Sequence, residues 1–264
     1  MRSLAVCLTA VLLAGTARAD ISVGASPAFL DLSLDPGKTT AQTILLFNSG
    51  KDPVTVKAYA WDWWHEENNP RKFGPPGTLP NSAAKWISFV PETITVSPQK
   101  AVNVTVVLNT PAEAKAGNYA VAWFEAIPEK NAKAKEVLIG ARLGVLVMTE
   151  VRGQSRPGIR VDNVKVTPPS DAQLMQADLT LVNSGDVHLF ARGTLVLMNK
   201  ARKLVGHTTF EKRRLLPGES SPVSIKWGGE LDPGDYQALF TVDYGDAGST
   251  VKTVDFKVPI VARH

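Results

Sequence analysis

The sequence has a single cysteine, Cys7, and it falls inside an N-terminal stretch that reads as a leader. The mature chain therefore carries no disulfide, no thiol nucleophile and no thiolate metal site, so packed cores must supply its stability. Histidine is scarce too. His65, His188, His207 and His264 stand far apart, none with a second ligand at metal-site spacing. The stretch "WHEENNPR" offers His-Glu-Glu without a second histidine one helical turn on, which excludes the helical zinc motif. There is no glycine-rich phosphate loop and no serine in a nucleophile elbow. These absences leave no catalytic residue, metal or cofactor to expect, and the chain reads as a non-enzyme. Long charge runs are missing as well. Once Arg2 and Arg18 leave with the leader, the 29 basic residues become 27 against 25 acidic, which argues against a nucleic-acid partner. Helix is nearly absent: only "TPAEAKAG" (110–117) could form one turn.

The one stretch that reads as a leader opens the chain. "MRSLAVCLTAVLLAGTARAD" places Arg2 before an apolar run at 4–15 and ends on Ala17-Arg18-Ala19 before Asp20. A charged start, a short apolar core and small residues at alternate positions describe a secretory signal peptide, residues 1–19. Crossing a bilayer takes roughly 20 apolar residues, and no stretch of the mature chain approaches that length. The mature chain is expected to be exported and not to span a membrane.

What fills the rest is β. "TTAQTILLFN" (39–48), "VTVKAYAW" (54–61), "ETITVSP" (92–98), "VNVTVVLN" (102–109) and "YAVAWFEAI" (119–127) are short runs rich in Val, Ile, Thr and aromatics, bounded by turn formers. "EVLIGARLGVLVMTEV" (136–151) is longer. The second half repeats the style from "GIRVDNVKV" to "VKTVDFKVPIV", and the polar break "RGQSRPGIR" (152–160) divides the two. The halves echo each other: a strand ends in Asn48-Ser49-Gly50 and another in Asn183-Ser184-Gly185. These are turn residues, with glycine expected at positive φ and Asn and Ser bonding local backbone. Gly-Asn-Tyr119 and Gly-Asp-Tyr236 each open a late strand, as in the tyrosine corner of a sandwich, where the hydroxyl returns to nearby backbone. The fold class that follows is all-β, two tandem immunoglobulin-like sandwiches at 20–153 and 158–264.

Three surface features stand out. Lys200, Arg202 and Lys203, with Lys212, Arg213 and Arg214, flank a hairpin "KLVGHTTFEKRR" and read as a charged edge strand. "YAWDWW" (59–64) puts Tyr59, Trp61 and Trp63 on one face, where at least one should pack in the core, and Trp64 on the other. The loop at 65–86 is long for a compact domain and is a candidate contact surface, with Trp64 and Phe73 as accessory contacts. "DYGDAG" (243–248) lacks the later acidic ligand of a calcium loop and reads as a hairpin turn. The strongest feature is the 136–151 ribbon, apolar on both faces, whose second face carries Leu138, Arg142, Gly144, Leu146 and Met148. A sandwich strand needs one apolar face, so domain two or a partner strand must cover the other.

The stretch from "WISFVPETITVSP" through "YAVAWFEAIPEKNAKAKEVLIGARLGVLVM" resembles the first domain of the PapD-like periplasmic pilus-assembly chaperones. The resemblance covers roughly 21–150 and continues more loosely into a second sandwich. It implies a periplasmic protein that stabilises an exported, pilin-like subunit by β-strand complementation, with an outer-membrane usher as a further partner. The inserting residues it implies are Leu138, Leu143, Val145 and Val147, according to which face is outward. Arg142 would stand in for the lysine of that family's last strand, since Gly144 occupies its place, and the first strand, "ISVGASPAFLDLSL", has no basic residue. The alternative is a cell-envelope structural or adhesion module that binds a surface polymer or host ligand through the 65–86 loop and the basic hairpin.

Overall fold

The computed structural model describes residues 22–65, 71–127, 140–170 and 173–260. The first half holds β1 (Val23–Ser26), β2 (Phe29–Leu34), β3 (Thr39–Asn48), β4 (Val54–Trp64), β5 (Lys72–Gly74), β6 (Ile87–Val90), β7 (Thr93–Val96), β8 (Lys100–Asn109), β9 (Gly117–Ile127) and β10 (Ala141–Val151). One sheet runs β1-β3-β8-β6; the other runs β2-β10-β9-β4-β5, with β7 also on β4. The first strand thus changes sheets between Ser26 and Phe29. Pro27 sits at the change, where a residue without an N–H costs no ladder bond. The predicted strands are found, with three differences: "KLVGHTTFEKRR" is one continuous strand rather than a hairpin, β5 forms inside the stretch expected as a loop, and 136–139, with Leu138, lie outside the described residues.

The second half holds β11 (Ile159–Thr167), β12 (Met175–Asn183), β13 (Leu189–Asn199), β14 (Leu204–Leu215), β15 (Ser220–Trp227), β16 (Gly234–Asp243) and β17 (Ser249–Val258). Its sheets are β11-β12-β15 and β14-β13-β16-β17. Both halves are sandwiches with their own cores, and no helix among the described residues is long and apolar enough to cross a membrane.

In the first core, β3 and β8 contribute Ile44, Leu46, Val104 and Val106 by simple alternation. Opposite them, β4 and β9 present the small Ala58, Ala60, Ala122 and Ala126, and the space is taken by Phe124, which meets Phe89 edge-on at 5.9 Å. Strand glycines are matched to aromatics across the ladder. Gly24 faces Phe47, Gly144 faces Trp123 and Gly193 faces Phe210 in direct register. A Cβ at these glycines would lie 1.9, 2.8 and 2.2 Å from the facing ring, so each ring lies flat over its glycine. Gly193→Val is therefore expected to displace Phe210 and lower the stability of the second sandwich by about 2 kcal/mol, measured by urea unfolding.

The two Asn-Ser-Gly turns use their asparagines alike. Asn48 donates to the carbonyls of Asp52 (2.7 Å) and Val96 (3.0 Å) and accepts from the Gly50 amide (2.9 Å). Asn183 donates to Val187 (2.8 Å) and Leu215 (3.0 Å) and accepts from Gly185 (2.9 Å). The expected positive φ is not found at either glycine. Gly185 is required for a different reason: a Cβ there would meet the Arg156 carbonyl oxygen at 2.4 Å and the Gly158 nitrogen at 2.6 Å. In domain two, "DYGDAG" is the β16–β17 turn, with Asp243 accepting from the Gly245 amide and from Arg192. That amide, then the Arg192 guanidinium, hold the Asp243 carboxyl below its usual range. β14, which carries Lys212, Arg213 and Arg214, is an edge strand.

Candidate partner-binding edge

β10 pairs with β9 along nearly its whole length, from Ala141 opposite Ala126 to Glu150 opposite Gly117. On its other side the parallel strand β2 covers only Leu146 onward. Among the described residues, positions 141–145 of β10 have no strand on that edge. The Leu146 amide donates to Ala28 (3.3 Å) and the Arg152 amide to Leu34 (2.8 Å), both on the β2 side, whereas the Val151 amide turns to Ala116 (3.1 Å) beside β9. Backbone groups alternate sides along a strand, so the N–H and C=O of Arg142 and Gly144 point at the open edge.

The residues singled out in the sequence are sorted by this geometry. Val145 and Val147 are buried in the domain's own core, at 1 % and 0 % exposure, and present no side chain outward. Leu143 is half-buried at the mouth of that core. Arg142 lies on the outer face, its guanidinium 4.2 Å over Trp123, 5.6 Å from the Trp61 ring, and donating to the Tyr59 hydroxyl at 3.2 Å. Phe73 packs edge-on against Trp123 at 4.8 Å, and Trp64 is half-buried. Leu138 lies outside the described residues. Sequence reasoning missed Phe29, 51 % exposed, which stands opposite Leu146 where β2 begins and flanks the open edge.

Of the two covers expected for the second apolar face, domain two is the one observed. Beyond the open stretch, Leu146 and Met148 pack with Trp63, Tyr119 and Val121 under Leu216 of domain two, with Phe190 alongside. The expectation that aromatics of β4 enter the sandwich core is corrected here. Val54, Val56, Ala58 and Ala60 take the inner face, and Tyr59, Trp61 and Trp63 the outer one. Trp63 is still fully buried, but between the domains. Arg71 and Arg214 each lie 5.3 Å from its ring. Burial, then the charge of Arg214, lowers the Arg71 guanidinium from its usual value. Two histidine–carboxylate hydrogen bonds bridge the domains among the described residues: His65 with Glu219 at 2.5 Å and His188 with Asp31 at 2.9 Å.

The 65–86 loop is held down over its described part. Asp62, fully buried, accepts from the Leu79 amide (2.9 Å) and the Ser82 hydroxyl, while Tyr119 exchanges main-chain bonds with Asn81 and Ala83. Asp62→Ala is expected to cost about 2 kcal/mol, since it takes the acceptor from a partly buried amide and a partly buried hydroxyl together. Thermal unfolding and faster proteolysis near Leu79 would show it. Among the described residues no three His, Cys, Asp or Glu side chains come close enough to hold a metal.

No family model matches the sequence, and no curated protein does. Solved structures do. The class 5 fimbriae chaperone CfaA is 11 % identical over 90 % of this chain and 100 % of its own, with a TM-score of 0.53. A structure of a chaperone–tip adhesin complex in CFA/I fimbriae biogenesis is 12 % identical over 90 % of this chain and 99 % of its own, with a TM-score of 0.51. The chain has the two-sandwich fold of the PapD-like fimbrial chaperones.

Proposed function

We propose that residues 1–19 direct export, and that the mature chain, with domains at 20–153 and 158–264, is a periplasmic chaperone for a pilin-like exported subunit. The subunit is held by a strand added to β10 at 141–145. The observation that carries this reading is the edge of β10 at 141–145, which no strand pairs among the described residues: a row of donors and acceptors beside a fully laddered strand is a template for another chain. Because Val145 and Val147 point inward, main-chain bonds rather than these side chains supply the affinity, with Leu143 and Phe29 giving apolar margins. The CFA/I structure supports the reading, since that chaperone is named there in complex with a tip adhesin.

Arg142 separates main-chain from side-chain recognition. Arg142→Pro removes an N–H that faces the open edge and leaves the β9 ladder intact, whereas Arg142→Ala removes only the guanidinium. Tagged mature protein would be drawn from periplasmic extract of the source organism, and bound polypeptides identified by mass spectrometry. An exported β-rich subunit is expected with the wild type and Arg142→Ala, and about tenfold less with Arg142→Pro, as for one lost main-chain hydrogen bond of about 1.4 kcal/mol. Capture of no polypeptide, or equal capture by Arg142→Pro, would remove the proposal.

A further inference from the structure

The two tyrosines that occupy corner positions are used differently. Tyr236 behaves as its position predicts, donating to the carbonyl of Asp232 four residues upstream at 2.8 Å. The Tyr119 hydroxyl instead accepts the backbone N–H of His188, in the other domain, at 2.8 Å. Its ring stands edge-on between Trp63 (6.1 Å) and His188 (5.7 Å), and burial above all pushes its phenol far above the usual range. It therefore remains a neutral hydroxyl at any pH the protein meets.

The main chain around this contact is docked as well. The Gly117 amide donates to Asp186 at 2.9 Å, and a Cβ on Gly117 would lie 3.0 Å from the Cα of Val187. Asp186 in turn exchanges bonds with Arg156 in the linker, through its carboxylate (2.6 Å) and its amide (3.1 Å). The turn that follows Asn183 is thus gripped by domain one on one side and by the linker on the other. Among the described residues, the matching turn after Asn48 makes its bonds within domain one.

From this geometry we propose that Tyr119 is a positioning residue, a latch that locks the two sandwiches into one rigid body before any partner arrives. Domain two then braces the outer face of β9 and β10 from behind, next to the open stretch of β10. The latch does not depend on the chaperone reading, because its test needs no partner.

Tyr119→Phe keeps the ring and deletes the hydroxyl. Native-state hydrogen exchange of the mature protein reads the result at single amides. The Gly117 amide, which bonds across the interface, is expected to exchange about tenfold faster, the equivalent of the ~1.4 kcal/mol typical of one buried hydrogen bond. The Ile44 and Leu195 amides, inside the two cores, should keep their rates. Tyr236→Phe, which loses the same hydroxyl from the same kind of corner, should leave Gly117 unchanged. Unaltered exchange at Gly117 in Tyr119→Phe would overturn the latch. So would equal acceleration at Ile44, or in Tyr236→Phe, since either would mean general loosening.

Discussion

Asn183→Ala is expected to lower the stability of the second sandwich by about 3 kcal/mol, and Asn48→Ala to do the same to the first, because each alanine abandons three hydrogen bonds worth about 1 kcal/mol apiece. Both side chains are almost completely buried, and all their partners are backbone groups. Water cannot replace the amide without a cavity to hold it, so the carbonyls of Val96 and Leu215 are left without that donor. In each domain the bonds tie the end of one strand to the turn that follows and to a third segment, β7 in the first and the end of β14 in the second. Equilibrium unfolding in urea measures the loss. A change below about 1 kcal/mol in either variant would mean that the repeated asparagine does little beyond forming its turn. The variants should differ in reach. Loosening the turn after Asn183 frees Asp186 and hence Gly117, so Asn183→Ala weakens domain docking, whereas Asn48→Ala stays within its own sandwich.

The repeat was readable because turn chemistry is local: Asn, Ser and Gly announce a corner wherever they occur between apolar runs. The strands were readable for a similar reason, since a period of two depends only on near neighbours. Sidedness was harder. β4 is apolar on both faces, and size alone favours its tryptophans for the core. The structure puts alanines inside because Phe124 of β9 already fills that layer, and sends the tryptophans outward because a second domain waits there. Neither fact is local to residues 54–64. The same holds for Tyr119. Its position beside a glycine marks a corner, but the choice between upstream backbone and His188 depends on how the domains dock. The split of the first strand, by contrast, had a signal. A proline at position 27, inside "VGASPAFLDLSL", cannot sit in a central ladder, and the open edge of β10 follows from where β2 begins.

Trp63→Ala should give the largest loss of any single change in the interface, about 3–5 kcal/mol, as for other fully buried aromatics cut back to alanine. The side chain is 0 % exposed and meets Tyr119 and His65 edge-on at 6.1 and 5.6 Å. Its worth lies in packing, because the indole N–H is buried with no hydrogen-bond partner among the described residues. Two cationic contacts, from Arg71 and Arg214, go with the ring. Since Arg214 and Leu216 come from domain two, the cavity opens on the seam between the sandwiches and not within either core. The wild type is therefore expected to unfold in one calorimetric transition, and Trp63→Ala in two, with domain two melting close to its wild-type temperature. Trp61→Ala, on the same face but half-exposed, should cost about 1 kcal/mol and leave a single transition. If Trp63→Ala lowered one undivided transition, the linker and the polar contacts across the seam, Gly117–Asp186, Tyr119–His188, His65–Glu219 and His188–Asp31, would be coupling the domains, and the aromatic cluster would be filling rather than fastening the seam.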